Sequence, residues 1–241
     1  MLNPFLVYLH FIQCMHSEIK YWFLRDHKLF RVMSNDQLKQ LCVITGFKEG
    51  KKGDIIYFSD STEPRIYFLK KGAIKISEVD VNGNEITKEI IQKGDLFGEL
   101  SLDTTMANNE FAQVLTNSVT ICSFLLKDFE ALMEQHPELA LSYTKLVGLK
   151  FKKLKNSYSN LVFKDARSRL IQFLKDWAAR DGNETLDAIV IENYLTQQDI
   201  AHIICTTRQT ATQLLNQLET EGLLKYDRKE LILDKQFVLQ N

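Results

Sequence analysis

The chain has 241 residues, of which 45% are hydrophobic and 25% are charged, and its 30 basic and 31 acidic side chains leave a net charge of −1. This length leaves room for two domains, each with its own core. The even charge balance excludes a protein that coats nucleic acid through a chain-wide excess of cations, so any affinity for DNA must be local.

The cysteines and histidines point to no catalytic or metal centre. Cys14, Cys42, Cys122 and Cys205 are scattered, without a C-x-x-C spacing or a neighbouring His pair. This favours reduced thiols over a zinc site or a disulfide framework. The 5 histidines lie in unrelated contexts, and no nucleophile with an adjacent base is evident. We therefore expect no metal, no cofactor and no enzymatic activity.

Residues 1–28 begin with an apolar run that could be mistaken for an export signal. The run lacks a basic n-region and a small-residue cleavage site. Pro4, His10 and Gln13 interrupt it, and it is too short to cross a bilayer. We therefore expect a cytoplasmic protein with no membrane partner, in which residues 1–28 form a helical extension docked on the protein itself. A partner-binding role for this segment is the alternative.

Residues 29–135 are predicted to form an antiparallel β-barrel or jelly roll. A helix capped by Ser34 comes first. Short runs rich in β-branched and aromatic residues then follow at intervals of about ten residues. Asn82-Gly83 is the strongest hairpin signal, because both residues tolerate a positive φ angle. Further corners are marked by Gly53, Gly72, Gly94 and Gly98.

Residues 136–163 are predicted to form one long helix with Pro137 near its start. An apolar heptad repeat along it defines a predicted dimer seam, which contains Val147, Phe151, Leu154, Tyr158 and Leu161. A second flank is also apolar and contains Leu139, Tyr143 and Leu146. One face can cover the barrel while the other meets a second copy, which predicts a homodimer. Burial of both faces within one domain is the alternative.

Residues 164–241 are predicted to form a winged helix-turn-helix domain. Thr196 caps a short helix that ends near Cys205, and a second helix starts at Thr206 or Thr207. The outer face of the second helix carries hydrogen-bonding side chains and no carboxylate. Arg pairs with guanine, Gln pairs with adenine, and hydroxyls at a helix N-terminus hold phosphate. We expect DNA contacts from Thr196, Thr206, Thr207, Arg208, Gln209, Thr210, Thr212, Gln213 and Lys225.

The chain after Gly222 favours DNA binding over the alternative of an amphipathic helical hairpin with a solvated polar face. Two short apolar runs lie on either side of Asp227, Arg228 and Lys229 and predict a β-hairpin. A hairpin after a helix-turn-helix is a wing, and its cations would lie where they reach a flanking phosphate.

This order of barrel, long helix and winged helix-turn-helix, in an α+β architecture, resembles the Crp/Fnr family of bacterial transcription regulators. The resemblance spans residues 29–233 and rests on LFRVMSNDQL, GDIIYF, RIYFLKKGAIKI, GDLFGELSL and the block from LTQQDIA to TTRQTATQLL. It implies a homodimeric regulator whose partners are double-stranded DNA, RNA polymerase and a small-molecule effector of unknown identity. The alternative is a ligand-binding or protein-interaction module whose helix-turn-helix no longer binds DNA.

The resemblance also implies an effector site. In the family, the stretch matching Gly98, Glu99, Leu100 and Ser101 forms a turn that binds phosphate and ribose. Cyclic-AMP-binding members follow it with an Arg-Ser pair, whereas this chain has Asn108 and Asn109.

A second departure lies on the long helix. The Thr-Ser pair that holds adenine in the family matches Leu154 and Lys155. Because the two amides at Asn108 and Asn109 can hydrogen-bond but supply no charge, cyclic AMP is not expected to bind in the usual way. A barrel with a different ligand and a barrel without any ligand are the alternatives.

The predicted recognition helix departs from the family as well. Where the family commonly places Arg, Glu and Arg, this chain has Arg208, Gln209 and Gln213. Arg208 keeps its ability to read guanine, while the two glutamines imply a changed half-site. The turn position that is often Gly is Cys205, at a small cost in backbone strain.

Overall fold

The computed structural model describes residues 21–57, 64–98 and 110–239. The described residues form two compact units. One contains residues up to 85 together with 90–151, and the other contains residues from 152 onward together with 86–89. Each unit has its own core.

The first unit begins with helical segments. Residues 21–26 are helical, a 3-10 turn spans Phe30–Val32, and helix α1 spans Asn35–Ile44. The predicted cap is confirmed, because the Ser34 hydroxyl accepts from the Gln37 backbone N–H while the Gln37 side chain accepts from the Ser34 N–H. This reciprocal pair satisfies two donors that a helix start leaves without partners.

Two four-stranded sheets follow, in the orders β1-β8-β3-β6 and β2-β7-β4-β5. The strands are β1 (Gly46–Lys51), β2 (Ile55–Tyr57), β3 (Arg65–Lys71), β4 (Ile74–Val79), β5 (Glu85–Ile91), β6 (Leu96–Gly98), β7 (Glu110–Val114) and β8 (Ser118–Leu125). This is a jelly roll, so the predicted fold class is confirmed, as two sheets rather than one closed barrel.

The central strand β3 is buried on both faces. Ile66 and Phe68 point into a core shared with the helices, whereas Tyr67 and Leu69 point into the core between the sheets. Successive side chains of a strand alternate between the two faces. This double burial explains why residues 66–69 of RIYFLKK are all apolar instead of alternating with polar residues.

The predicted hairpin at Asn82-Gly83 is confirmed between β4 and β5, but its loop is longer than a two-residue turn. The Asp80 carboxylate accepts from the backbone N–H groups of Asn82 and Asn84, both at 2.8 Å. Gly83 has a φ of +83°, while Asn82 is not among the described residues with positive φ. Asp80 therefore closes the loop through its side chain, and only the glycine adopts the left-handed conformation.

Two helices complete the first unit, α2 (Leu126–Gln135) and the long helix α3 (Pro137–Phe163), which continues into the second unit. The prediction that Pro137 starts a long helix is confirmed. Leu139 is fully buried against the core, and Tyr143 and Leu146 pack against the same cluster.

The second unit contains four shorter helices and a sheet of order β11-β12-β10-β9. Its elements are α4 (Ala166–Asp181), β9 (Asn183–Glu184), β10 (Ala188–Glu192), α5 (Gln197–Ile203), α6 (Arg208–Thr220), β11 (Leu224–Tyr226), β12 (Glu230–Asp234) and α7 (Lys235–Leu239). Leu170, Leu174 and Trp177 of α4 are buried in its core. Helix α4 and strands β9 and β10 were not predicted from the sequence. In the described ranges, no helix combines the length and the apolar character that a membrane crossing requires.

Candidate nucleic-acid interface

Helix α5 is held by its own capping residues. The Thr196 hydroxyl accepts from the Asp199 backbone N–H at 3.1 Å, and the Asp199 carboxylate accepts from the Thr196 N–H at 2.9 Å. Ile200 and Ile204 point into the core and are 0% and 2% exposed. The prediction that Thr196 caps this helix is therefore confirmed, and the reciprocal pair with Asp199 fixes where the first helix of the motif begins.

The turn between α5 and α6 is strained at the predicted position. Cys205 has a φ of +53°, and among the described residues it is the only non-glycine with a positive φ. This left-handed conformation costs an ordinary L-residue about 1 to 2 kcal/mol. The backbone around it is hydrogen-bonded, since the Thr206 N–H donates to the Ala201 carbonyl at 2.9 Å. Backbone hydrogen bonds of the turn therefore offset this strain.

Helix α6 begins at a hydroxyl cap. Of the two predicted candidates, Thr207 is the N-cap, and its hydroxyl accepts from the Thr210 backbone N–H at 3.1 Å. Ala211, Leu215 and Leu218 form the buried face of α6. The opposite face therefore remains in solvent.

The polar side chains of the two helices and their caps divide into those bonded within the motif and those that are not. The Thr212 hydroxyl donates to the Gln197 side chain at 2.7 Å and lies 2.8 Å from the Arg208 carbonyl. The hydroxyls of Thr207 and Thr210 pair with each other at 2.9 Å. Thr196 donates to Asp199 at 2.6 Å. These threonines therefore shape the motif.

Three side chains of α6 project from the outer face and carry the hydrogen-bonding groups suited to base edges. Arg208, Gln209 and Gln213 are exposed. Arg presents a planar fork of donors, and Gln presents one acceptor and two donors on one amide. This set can address guanine and adenine in a major groove.

The predicted wing is confirmed as the hairpin of β11 and β12. Its tip is fixed by Asn193, which is 8% exposed. The Asn193 side chain donates to the Asp227 carbonyl at 2.6 Å, and its backbone N–H donates to the Lys229 carbonyl at 2.9 Å. Lys225 and Arg228 are exposed on this hairpin. Asn193 was not predicted from the sequence, because no local pattern marks an amide that bonds to a turn far along the chain.

Two arginines on α4 contact opposite ends of α6. The Arg167 guanidinium lies 2.5 Å from the carboxylate of Glu221, the C-cap residue of α6. Arg169 contacts the turn that precedes α6, where its Nε donates to the Ile204 carbonyl at 2.8 Å. Neither arginine was predicted from the sequence, since no pattern in the sequence reveals which distant acceptors they meet.

Most of the predicted effector site lies outside the described residues, namely Glu99, Leu100, Ser101, Asn108 and Asn109. Gly98 is described, with a φ of +104°, and a Cβ atom there would lie 2.6 Å from the Arg65 carbonyl oxygen. Only glycine fits such a position.

The two predicted effector residues on α3, Leu154 and Lys155, are both exposed. Their role stays a prediction. In the part of the chain that is described, no group of three or more His, Cys, Asp or Glu side chains is placed to hold a metal ion.

The predicted dimer seam lies along one face of α3 and is exposed in the single chain. Its exposed fractions are 41% for Val147, 68% for Phe151, 66% for Leu154, 67% for Tyr158 and 45% for Leu161. Large apolar side chains aligned in this way mark a surface for another molecule.

Comparisons with known proteins agree with this geometry. Residues 47–136 match the family model described as a cyclic nucleotide-binding domain, and residues 168–237 match that of a Crp-like helix-turn-helix domain. A global nitrogen regulator of Synechocystis sp. is 30% identical over 177 residues, which cover 73% of this chain and 79% of that protein.

A global nitrogen regulator of Nostoc sp. is 29% identical over 198 residues, which cover 82% of this chain and 87% of that protein. Among solved structures, a CooA mutant from Carboxydothermus hydrogenoformans is similar with a TM-score of 0.66 and 27% identity, over 88% of this chain and 94% of that one. These matches extend across both units.

Proposed function

Because the chain belongs to the Crp/Fnr family of transcription regulators, we propose that it reads the bases of double-stranded DNA through the exposed face of α6. The observation that carries this proposal is the capped helix α6, which buries its apolar face and exposes Arg208, Gln209 and Gln213. Each bidentate contact of this kind discriminates against a wrong base by about 1 to 3 kcal/mol.

In this assignment Arg208 reads guanine, and Gln209 and Gln213 read adenine. The exposed N-terminus of α6, with Thr206 and Thr207, faces a phosphate. Lys225 and its neighbours on the wing contact a flanking phosphate. The hydroxyls of Thr196, Thr210 and Thr212 are bonded within the motif and act mainly by holding the two helices in place, while Thr207 both caps α6 and lies at its exposed N-terminus.

The regulator acts as a homodimer, and we assign the dimer contact to the seam of Val147, Phe151, Leu154, Tyr158 and Leu161. A two-fold axis along this helix presents two copies of α6 to one duplex. Half-sites separated by one helical turn, about 34 Å, are then bound together, which favours a palindromic site. RNA polymerase is the further protein partner that we assign to this role, and the cytoplasm is the compartment in which we place the protein with DNA and the polymerase.

The effector of the first unit is proposed to be a small molecule other than cyclic AMP. A regulator of Mycobacterium tuberculosis described as cAMP-activated is 24% identical over 189 residues, which cover 78% of this chain and 80% of that protein. The present chain has Asn108 and Asn109 where such members have an Arg-Ser pair, and Leu154 and Lys155 where they have a Thr-Ser pair. Losing a charge-assisted contact to a phosphate typically costs a few kcal/mol of binding energy, or about two decades of affinity.

Selection of bound duplexes from a random pool by the purified protein tests the proposed function. We expect enrichment of a palindromic site with a guanine in each half-site. No enrichment at low salt, with or without cell metabolites, would instead favour the interaction module that no longer binds DNA. Titration calorimetry with cyclic AMP tests the effector assignment, and binding at micromolar or lower concentration would contradict it.

A further inference from the structure

One guanidinium of the second unit reaches three backbone carbonyls. Arg169 lies in the first turn of α4, where the Asp165 carboxylate caps the helix by accepting from the Ser168 N–H at 2.7 Å. Its Nε donates to the Ile204 carbonyl at 2.8 Å, and its Nη2 donates to the Cys205 carbonyl at 3.2 Å. Its Nη1 donates to the Lys164 carbonyl at 2.6 Å. The side chain is half-buried.

Two of these carbonyls belong to the turn of the helix-turn-helix. The last carbonyls of a helix have no partner within the helix and need one from elsewhere. Cys205 is also held in the left-handed region, with a φ of +53°. Arg169 therefore supplies charge-assisted donors at the point where the backbone of the motif is strained.

The third carbonyl belongs to the end of the long helix. The Lys164 N–H donates to the Asn160 carbonyl at 2.9 Å, so Lys164 continues the last turn of α3. The same planar guanidinium thus joins the end of α3 to the turn that precedes α6. Arginine is suited to this task, because its donors form a rigid fork, whereas lysine presents one ammonium at the end of a flexible chain.

We propose that Arg169 is a positioning residue for DNA reading, which sets the direction of α6 relative to the end of the dimer helix. The inference rests on the proposed function, since it concerns how α6 is presented to DNA. Arg169 acts through Cys205 and Lys164 and does not itself contact DNA. Its loss therefore changes specific binding far more than the general attraction between the protein and the duplex.

The test measures binding of the full-length dimer to the selected duplex and to an unrelated duplex, over a range of salt concentrations. Arg169→Ala is expected to weaken specific binding by about ten- to a hundredfold, as for loss of hydrogen bonds from a charged group. Binding to the unrelated duplex and the slope of affinity against salt stay unchanged, because no phosphate contact is removed. Arg169→Lys is expected to lie between wild type and Arg169→Ala.

Arg180→Ala is the charge-matched control, because Arg180 is exposed in the last turn of the same helix. It removes the same charge and is expected to leave both affinities near wild type. Equal losses of specific and unrelated binding in Arg169→Ala, with a smaller salt slope, would show that Arg169 is a phosphate contact and overturn the proposal. Wild-type affinity in Arg169→Ala would overturn it as well.

Cys205→Gly provides a rescue that a phosphate contact would not show. Glycine adopts the left-handed conformation without strain, so the turn depends less on the arginine. In the Arg169→Ala background, Cys205→Gly is expected to recover at least about threefold in specific affinity, whereas in the Arg180→Ala background it adds nothing. Failure of this rescue would contradict the proposed route through Cys205.

If Arg169→Ala does not fold, Arg169→Lys decides the question by the same comparison of the two duplexes. An equal loss on both duplexes in Arg169→Lys would then overturn the proposal. Absence of DNA binding by the wild-type protein would refute the proposed function itself, which is a different result.

Discussion

The two halves of α3 have the same apolar pattern but different surroundings. In the first half, Leu139 is fully buried, and Tyr143 and Leu146 pack against a core rich in phenylalanine. In the second half, Phe151 and Tyr158 are 68% and 67% exposed. An apolar stripe therefore identifies a face that must be covered, but not whether the same chain or another molecule covers it.

Helix α6 shows a similar division between its two faces. Leu215 and Leu218 are buried by the chain itself, whereas Arg208 and Gln213 remain exposed. The exposed face of α6 is polar, whereas the seam face in the second half of α3 is apolar. We expect the polar face of α6 to bind a polyanion and the apolar face of α3 to bind another apolar surface.

The largest effect is expected on dimer formation, from substitutions in the exposed apolar seam of α3. The double variant Phe151→Glu and Leu154→Glu should dissociate the dimer, because each anchor at the centre of an interface contributes about 2 kcal/mol or more. Each protomer should stay folded, since both side chains are exposed in the single chain. Sedimentation velocity measures the change in mass.

Leu149→Glu is the matched control for this double variant. Leu149 is 65% exposed but lies outside the heptad of the seam. Its replacement should leave the dimer intact. Dissociation by Leu149→Glu, with an unchanged dimer in the double variant, would place the interface on the other face of α3.

Substitution of a buried residue in the first half of α3 should lower stability and leave the dimer intact. Leu139→Ala should lower the free energy of unfolding by about 2 to 5 kcal/mol, because it leaves a cavity in the core. The folded protein should remain dimeric. Urea unfolding at a fixed protein concentration measures this loss. The control is Leu141→Ala, at a position that is 58% exposed. This substitution should change the free energy of unfolding by less than about 0.5 kcal/mol. Equal losses of stability in the two variants would show that the buried leucine contributes no more to the fold than the exposed one.

The polar face of α6 should give a smaller change, in DNA affinity. Arg208→Ala should cost about 1 to 3 kcal/mol on the preferred duplex and relax specificity at one base pair of each half-site. Competition between duplexes that differ at single positions measures this effect. If base preference is unchanged while binding persists, α6 does not read bases through Arg208.

Lys225→Ala is the control for Arg208→Ala. Lys225 is exposed on the wing and is expected to contact phosphate alone. Its replacement should weaken all duplexes to a similar extent and reduce the dependence on salt. A surface that attracts DNA only through charge would show this behaviour at both positions.

The smallest effect is expected for the pH dependence of stability that is due to the buried side chain of His27. Burial among aromatic rings lowers the pKa of His27, and the charge of Lys28 adds to this lowering. The hydrogen bond to the Gly94 carbonyl and the charge of Asp95 act in the opposite direction but are weaker than the effect of burial. Nδ1 accepts from the Leu29 N–H at 3.2 Å, so the ring is neutral with its proton on Nε2.

The unfolded chain therefore binds a proton to His27 at a higher pH than the folded protein does. The stabilisation due to neutral His27 is complete above the unfolded pKa of about 6.5 and decreases as the pH falls from there towards the folded value. Urea unfolding between pH 5 and 8 should show stability rising with pH, with a smaller rise in His27→Gln. An unchanged pH dependence in His27→Gln would assign the slope to other groups.

Local features of the structure were determined by the sequence alone. The caps at Ser34, Thr196 and Thr207 each join residues three positions apart. The strained position at Cys205 is predicted by the family resemblance, in which the matching turn position is often Gly. Because the partners in these contacts are close neighbours in the chain, their spacing in the sequence is enough to predict them. The predicted domain boundaries and effector residues stay predictions.

Contacts between groups that are far apart in the chain could be seen only in the folded protein. Arg169 contacts the carbonyls of Ile204 and Cys205, Asn193 fixes the wing through Asp227, and the short strand β10 pairs with β12. The physical reason is that backbone carbonyls are identical at every position. The carbonyl that a guanidinium or an amide reaches is therefore set by the packing of whole helices and strands, which the residues near that side chain do not encode.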